Sequence, residues 1–299
     1  MNKEYLFEAR QIKKSFGPTQ ALKAVDIAIA RGEIRGLIGE NGSGKSTFSS
    51  ICAGIQKADS GMMYLDGKEY RPMNPIDAMD HGVAMVVQEQ GTIGKISVAA
   101  NIFFGKEAQF VSCGVLNVRK MNQEAERVLK EIGVNHIRSD AMIDQLTFED
   151  RKLVELARAL KTLPKLWIID ETTTALTVNG RHILYKLMKY VRDKGSSVLF
   201  ISHDIDEVMQ MCDSITILRD GVLTANLEKK DFEEDKIKQL MIGREISRHY
   251  YREDENVPQF GERVLEAKNV SAGQLKDISF ALHKGEILGI GGLSDCGMH

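Results

Sequence analysis

The sequence predicts an α/β fold with a mostly parallel core sheet. Two features carry that prediction. Short β-branched or apolar runs alternate with helical patterns, and a complete phosphate-binding loop joins one such run to a helical stretch. The candidate strands are 34–38, 83–87, 166–170, 197–201 and 214–218. Helical spacing shows in 121–132, where Met121, Ala125, Val128, Leu129 and Ile132 recur on one face. It shows again in 183–191, through Ile183, Leu184, Leu187, Met188 and Val191. Both stripes are expected to be core packing. Strands alternating with helices place helices on both faces of the sheet. Ligands of such sheets bind beyond the carboxyl ends of the strands.

Composition excludes several classes. The chain has 299 residues, 43% of them apolar and 27% charged, as in a globular protein. A net charge of −2 offers no basic footprint for nucleic acid, and no nucleic-acid partner is expected. Cys52, Cys113, Cys212 and Cys296 lie far apart and form no C-x-x-C pair, so neither a zinc site nor a disulfide framework is expected. A reducing compartment is the expectation. The first ten residues lack the apolar run of a signal peptide. No stretch approaches the roughly 18 apolar residues of a membrane span. Any membrane role is expected to come through a partner.

An internal repeat organises the chain. Leu6-Phe7-Glu8-Ala9 resembles Val264-Leu265-Glu266-Ala267. Gly32, Gly36, Gly39 and Gly44 each have a matching glycine 253 positions later. A period that long indicates duplicated domains, since solenoid periods run about 20–50 residues. The expected organisation is a first domain over 1–244, a polar linker over 245–261 with Pro258 and Gly261, and the start of a second copy over 262–299. The second copy is read as a stub, too short to bury its own core.

Five segments carry chemistry. The loop Gly39-Glu40-Asn41-Gly42-Ser43-Gly44-Lys45-Ser46-Thr47 matches G-x-x-x-x-G-K-[ST]. Its glycines let backbone N–H groups wrap a phosphate, and the helix that follows adds its N-terminal dipole. Lys45 is expected to reach the β- and γ-phosphates and Ser46 to ligate Mg²⁺. The apolar run Leu166–Ile169 ends in Asp170 and Glu171. Asp170 is placed to hold Mg²⁺ through water, and Glu171 to polarise an attacking water. His203 follows the run 197–201 and is expected to point into the same crevice, toward a γ-phosphate. Gln88 follows 83–87, where its amide can touch Mg²⁺ and water. Phe16 precedes the phosphate strand and offers a face for adenine, although ordinary packing explains an aromatic there as well.

These segments resemble the ATP-binding cassette proteins, and more closely the tandem ATPases of ribose- and galactose-type carbohydrate importers. The likeness rests on 39–47, Val86-Val87-Gln88-Glu89, Asp170-Glu171, Ala175-Leu176-Thr177 and Ile201-Ser202-His203-Asp204. Arg219-Asp220-Gly221 and Met241-Ile242-Gly243-Arg244-Glu245 add to it. The resemblance implies a P-loop NTPase core, an N-terminal antiparallel β subdomain and a small helical subdomain at about 95–162. It implies an ATPase using ATP and Mg²⁺, whose two copies clamp nucleotide between a phosphate loop and the other copy's signature segment. It further implies transmembrane permease subunits, a solute-binding protein and a place on the cytoplasmic face of the membrane.

The sequence departs from that pattern. The signature, usually Leu-Ser-x-Gly-Gln, reads Leu146-Thr147-Phe148-Glu149-Asp150. Thr172 stands where the family has Pro after the catalytic Glu. In the second copy's loop, Met298 and His299 replace the Lys and the hydroxyl residue. One competent and one degenerate site are therefore expected. Two other readings compete. A soluble twin-cassette protein would carry a long charged insertion between copies and an intact second loop. A non-catalytic nucleotide sensor would fit Glu149 but not the intact Lys45, Asp170 and Glu171.

Overall fold

Alternating burial builds the first layer. β1 (Tyr5–Phe16) and β2 (Thr19–Ala30) form a long antiparallel hairpin, with Val25, Ile27 and Ile29 turned inward from one strand and Phe7, Ala9 and Ile12 from the other. The computed structural model describes residues 4–87, 91–161, 163–243, 260–273 and 275–291. After β3 (Ile34–Ile38) and α1 (Lys45–Cys52), β4 (Ser60–Leu65) returns to pair with β1, and β5 (Lys68–Glu69) pairs with β4. This four-stranded antiparallel layer has the order β2-β1-β4-β5.

The chain then runs through α2 (Pro75–His81) into β6 (Val83–Val86). Between β6 and the next core strand lie α3 (Val98–Ile102), the small hairpin β7 (Val111–Ser112) and β8 (Val115–Leu116), α4 (Val118–Glu131) and α5 (Phe148–Leu160). This is the helical subdomain. β9 (Leu166–Asp170), α6 (Val178–Asp193), β10 (Ser197–Ile201), α7 (Ile205–Met211), β11 (Ser214–Arg219), β12 (Val222–Glu228) and α8 (Glu234–Ile242) complete the unit. Asn74, Asn117, Thr147, Thr177 and Asp204 cap α2, α4, α5, α6 and α7 through side-chain oxygens.

The core sheet has the order β12-β11-β3-β10-β9-β6. Its strands are parallel from β11 to β6, and β12 alone joins antiparallel, at the edge. β3, β9 and β10 are buried along their whole length, which is why they read as mostly apolar runs; in β3 the run is interrupted by buried Arg35, which pairs with Glu33 at 2.9 Å. Leu37, Ile168, Leu199 and Ile201 face α1 and the antiparallel layer; Ile38, Trp167, Ile169 and Phe200 face the core shared with α5 and α6. Two predicted strands differ at one end. Residues 83–87 stop at Val86, and 214–218 extend to Arg219, where β12 supplies one more pairing partner.

By contact the chain falls into two units, Met1–Ile246 and Ser247–His299. In the second, β13 (Arg263–Ala272) and β14 (Leu275–His283) form an antiparallel hairpin. It repeats the irregularity of the first hairpin. In β1, Gln11 has φ 54°, its N–H donates to Asp26 at 2.9 Å, and Ala24 on β2 has φ 65°. In β13, Asn269 has φ 51°, its N–H donates to Ser279 at 2.9 Å, and Asp277 on β14 has φ 55°. The bulge and its side-chain brace recur at the positions the sequence repeat pairs. The copy-two loop 292–299 and most of the linker lie outside the described residues.

Phe48 of α1 is fully buried between the two layers. Phe48→Ala should therefore cost about 3–5 kcal/mol in denaturant unfolding. A loss below about 1 kcal/mol would show that α1 is not held by this packing.

Candidate functional site

Strand register brings the predicted segments together. Ile201 of β10 pairs with Asp170 on one side and Leu37 on the other, so β3, β10 and β9 end level. The loop 39–44 leaves β3, Ser202 and His203 leave β10, and Glu171 leaves β9. The N–H of Glu171 donates to the Ile201 carbonyl at 3.0 Å, which ties the last two exits to each other.

The loop turns through Gly44, whose φ is 102°. A Cβ there would stand 2.6 Å from the carbonyl oxygen of Ala21, so the position admits only glycine without movement. Lys45 opens α1 and is 4% exposed. Its Nζ donates to the carbonyls of Gly39 at 2.8 Å and Glu40 at 3.0 Å. Burial lowers its affinity for the proton, and the nearby charges of Glu171 and Asp170 oppose that. Asp170 is 2% exposed. Burial pushes its carboxyl group up, against a hydrogen bond from Ser49 Oγ to Oδ2 at 2.9 Å.

Phe16, Ala21, Asn41, Gly42, Gly44, Lys45, Ser46, Thr47 and Glu171 line one depression of about 420 Å³. The Phe16 ring is 47% exposed, with Lys14 Nζ 5.5 Å from its centroid. A larger groove of about 750 Å³, between the ends of α4 and α5 and the side of α6, brings no such set of groups together. His203 is exposed on the same sheet edge but is not among the residues lining the depression. Its turn is held from below by Ser202 Oγ, which donates to buried Glu207 at 3.0 Å. Gln88 lies outside the described residues.

The donor set fits a phosphate with a hydrated cation. Asp170 Oδ1 and Ser43 Oγ are both buried and without a hydrogen-bond partner. Such orphaned atoms call for a ligand or water. Neither residue lines the depression itself, which is bounded by the loop backbone, the Lys45 ammonium and the Glu171 carboxylate.

Sequence reasoning missed Lys152, Glu155 and Arg158 here, and gave Thr172 no role beyond standing where the family has Pro. Thr172 is buried and its Oγ1 donates to the Asp170 carbonyl at 3.3 Å, so it braces the strand end. On α5, Lys152 and Glu155 form an ion pair at 3.1 Å and are 1% and 2% exposed. Lys152 Nζ donates to the Val87 carbonyl at 2.7 Å. Glu155 accepts from the Gly91 N–H at 2.5 Å, and Arg158 donates to the Gly91 carbonyl at 2.6 Å. The available signal was three charged residues spaced by three on an otherwise apolar helix face. In the signature segment, Thr147 caps α5. The Glu149 carboxylate accepts from Thr177 N at 3.1 Å and Thr177 Oγ1 at 2.7 Å, so it is turned onto its own chain at the head of α6. Asp150 meets His136 Nε2 at 2.7 Å.

A family model described as ABC transporter matches residues 22–174, more than half of the chain. The chain belongs to the ABC transporter family. It is similar to several curated proteins. It is 36% identical over 293 residues to the ribose import ATP-binding protein RbsA of Bacillus subtilis, covering 97% of this chain and 58% of that protein. The protein of the same name from Shouchella clausii is 37% identical over 295 residues, covering 98% and 58%. The chain thus spans little more than half the length of these relatives. Among solved structures, MJ1267, an ATP-binding cassette of an ABC transporter, aligns with a TM-score of 0.68 and 25% identity, over 79% of this chain and 98% of that one. The cassette MJ0796 aligns with a TM-score of 0.66 at 23% identity, over 76% and 100%, a likeness of fold.

The loop geometry is open to a stability test. Gly42 also has positive φ, at 83°, but a Cβ there meets open space. Both alanine variants carry backbone strain, and only Gly44→Ala adds a backbone clash. Gly44→Ala should be less stable than Gly42→Ala by about 1–3 kcal/mol in urea unfolding. Equal losses would place the Ala21 carbonyl elsewhere.

Proposed function

We propose that the chain binds ATP with Mg²⁺ and hydrolyses it to drive import of ribose or a similar sugar. The observation that carries this reading is the meeting of the loop 39–47 with Asp170 and Glu171 at level strand ends, around orphaned buried oxygens. The names of the curated relatives support the sugar.

In this reading the backbone N–H groups of Asn41, Gly42, Ser43, Gly44, Ser46 and Thr47 surround the phosphates, and Gly39 allows the loop to leave β3. Lys45 exchanges its two carbonyl partners for the β- and γ-phosphates, a gain because a phosphate is an anion and a carbonyl is only a dipole. Ser46 would ligate Mg²⁺ through its hydroxyl oxygen, Asp170 would hold the ion's water shell, and Gln88 would add its amide. The ion supplies charge neutralisation on the phosphates. Glu171 accepts a hydrogen bond from the attacking water and orients it in line. His203 reaches the γ-phosphate, and Phe16 stacks on adenine once Lys14 moves aside.

We read 1–244 as one nucleotide-binding domain, 245–261 as a linker and 262–299 as the start of a second. The repeated bulge at Gln11 and Asn269 supports the duplication. The partners in this reading are permease subunits, a solute-binding protein and a second cassette that closes the site. Among the described residues no helix is long and apolar enough to cross a membrane, so membrane contact at the cytoplasmic face would come through the permease.

Mg-ATP at about 100 times its dissociation constant should stabilise the fold by about 2.7 kcal/mol, read as an upward shift in thermal melting. Lys45→Ala should abolish that shift, and a shift of equal size in both proteins would remove the site assignment. Glu171→Gln should keep the shift while turnover, in the chain assembled with its closing cassette, falls by about 10²–10⁴-fold. Near-normal hydrolysis by Glu171→Gln would move the base to another residue.

A further inference from the structure

We propose that Ser49 is a positioning residue for Asp170: it holds carboxylate Oδ2 and so commits Oδ1 to the water shell of the divalent cation. The inference rests on the nucleotide site proposed above and adds a residue that the phosphate-loop motif does not contain.

Ser49 lies four residues after Lys45, one turn along α1 and on the same face. Its side chain is fully buried, and its α1 neighbours Phe48, Ile51 and Cys52 belong to the apolar core. A hydroxyl at such a place must find a partner, because burying it unpaired is unfavourable. Two are in reach. Oγ is 3.1 Å from the Ser46 carbonyl and 2.9 Å from Asp170 Oδ2. One proton serves both, and an ionised carboxylate is the stronger acceptor. The interaction joins α1 to the end of β9 across 121 residues of sequence.

The other carboxylate oxygen carries the second half of the inference. Asp170 Oδ1 is buried and has no partner within hydrogen-bond distance, although the Ser46 hydroxyl also acts on this carboxylate. A carboxylate held by neither oxygen can turn about its last bond, since that torsion is broad. With Oδ2 engaged, the plane of the group is set and Oδ1 is the oxygen that remains for a ligand. Groups that orient a metal's ligands act in this way, through the ligand rather than on the metal.

The test uses Mn²⁺ as probe. Binding of Mn²⁺ to the chain in the presence of ADP is followed by electron paramagnetic resonance, and binding of fluorescent ADP in EDTA is measured alongside. Ser49→Ala should weaken Mn²⁺ binding about tenfold, the scale of an orienting partner's loss. ADP binding in EDTA should be unchanged. Ser49→Thr, which keeps the hydroxyl, should restore Mn²⁺ binding, whereas Ser49→Cys, a weak donor, should behave like Ser49→Ala. Parallel loss of ADP binding with and without metal would make Ser49 a packing residue and overturn the proposal. Normal Mn²⁺ affinity in Ser49→Ala with loss in Asp170→Asn would also overturn it while leaving the nucleotide site intact. Normal affinity in both would remove the site itself. Where Ser49→Ala does not fold, Ser49→Cys against Ser49→Thr decides: equal Mn²⁺ affinities overturn the role.

Discussion

Lys45 and Asp170 carry opposite charges into the same buried corner, at the carboxyl end of a parallel sheet, with 4% and 2% of their surface exposed. Charges so placed are tolerated only when paired and hydrogen-bonded. Each influences the other and each also has local partners. Lys45 takes two loop carbonyls, and Asp170 takes the Ser49 hydroxyl. The arrangement leaves Asp170 Oδ1 and Ser43 Oγ unsatisfied. The rest of the first unit keeps that corner in place. Two apolar cores clamp β3, β9 and β10 from both faces, and the register of β10 levels the three exits.

α5 holds segments that lie away from this corner. Its buried Lys152–Glu155 pair and Arg158 hold the backbone at Val87 and at Gly91, the residues on either side of 88–90. At its N-terminus, Glu149 ties the helix to Thr177, which itself caps α6. A buried ion pair that loses one member leaves the other uncompensated, a larger penalty than the pair's own contribution to stability. Changes on this face of α5 therefore affect the backbone at Val87 and Gly91 even though α5 contributes nothing to the depression lined by Phe16 and Glu171.

Much of this was legible before any coordinates. β3, β9 and β10 match the predicted 34–38, 166–170 and 197–201 because strands buried on both faces need mostly apolar runs. α6 contains its predicted stripe and runs further at both ends, whereas α4 begins earlier but stops at Glu131, with Ile132 as its C-cap; capping residues Asn117 and Thr177 begin both helices earlier than the apolar spacing does. The loop 39–47 and the pair 170–171 were readable as motifs because each is contiguous. The antiparallel layer entered through family resemblance, as the long β1–β2 hairpin has charged and polar residues on its outer face and bulges that break its alternation. The fate of Glu149 was read only in part. The sequence showed an acid in place of glycine, and the fold turns that acid onto Thr177, 28 residues away.

The order of residues alone determined the chemistry available to the chain: a loop whose glycines free backbone donors, a lysine to follow it, and an apolar strand ending in two acids. These depend on neighbours along the chain, so local pattern suffices. Only the tertiary structure decided which oxygen of Asp170 is held and which is left open, that Thr172 braces the strand end, and that α5 grips Val87 and Gly91. Those outcomes rest on hydrogen bonds between segments as much as 121 residues apart. Such bonds depend on distances of a few tenths of an ångström that strand register and helix packing set, and no spacing along the sequence encodes them.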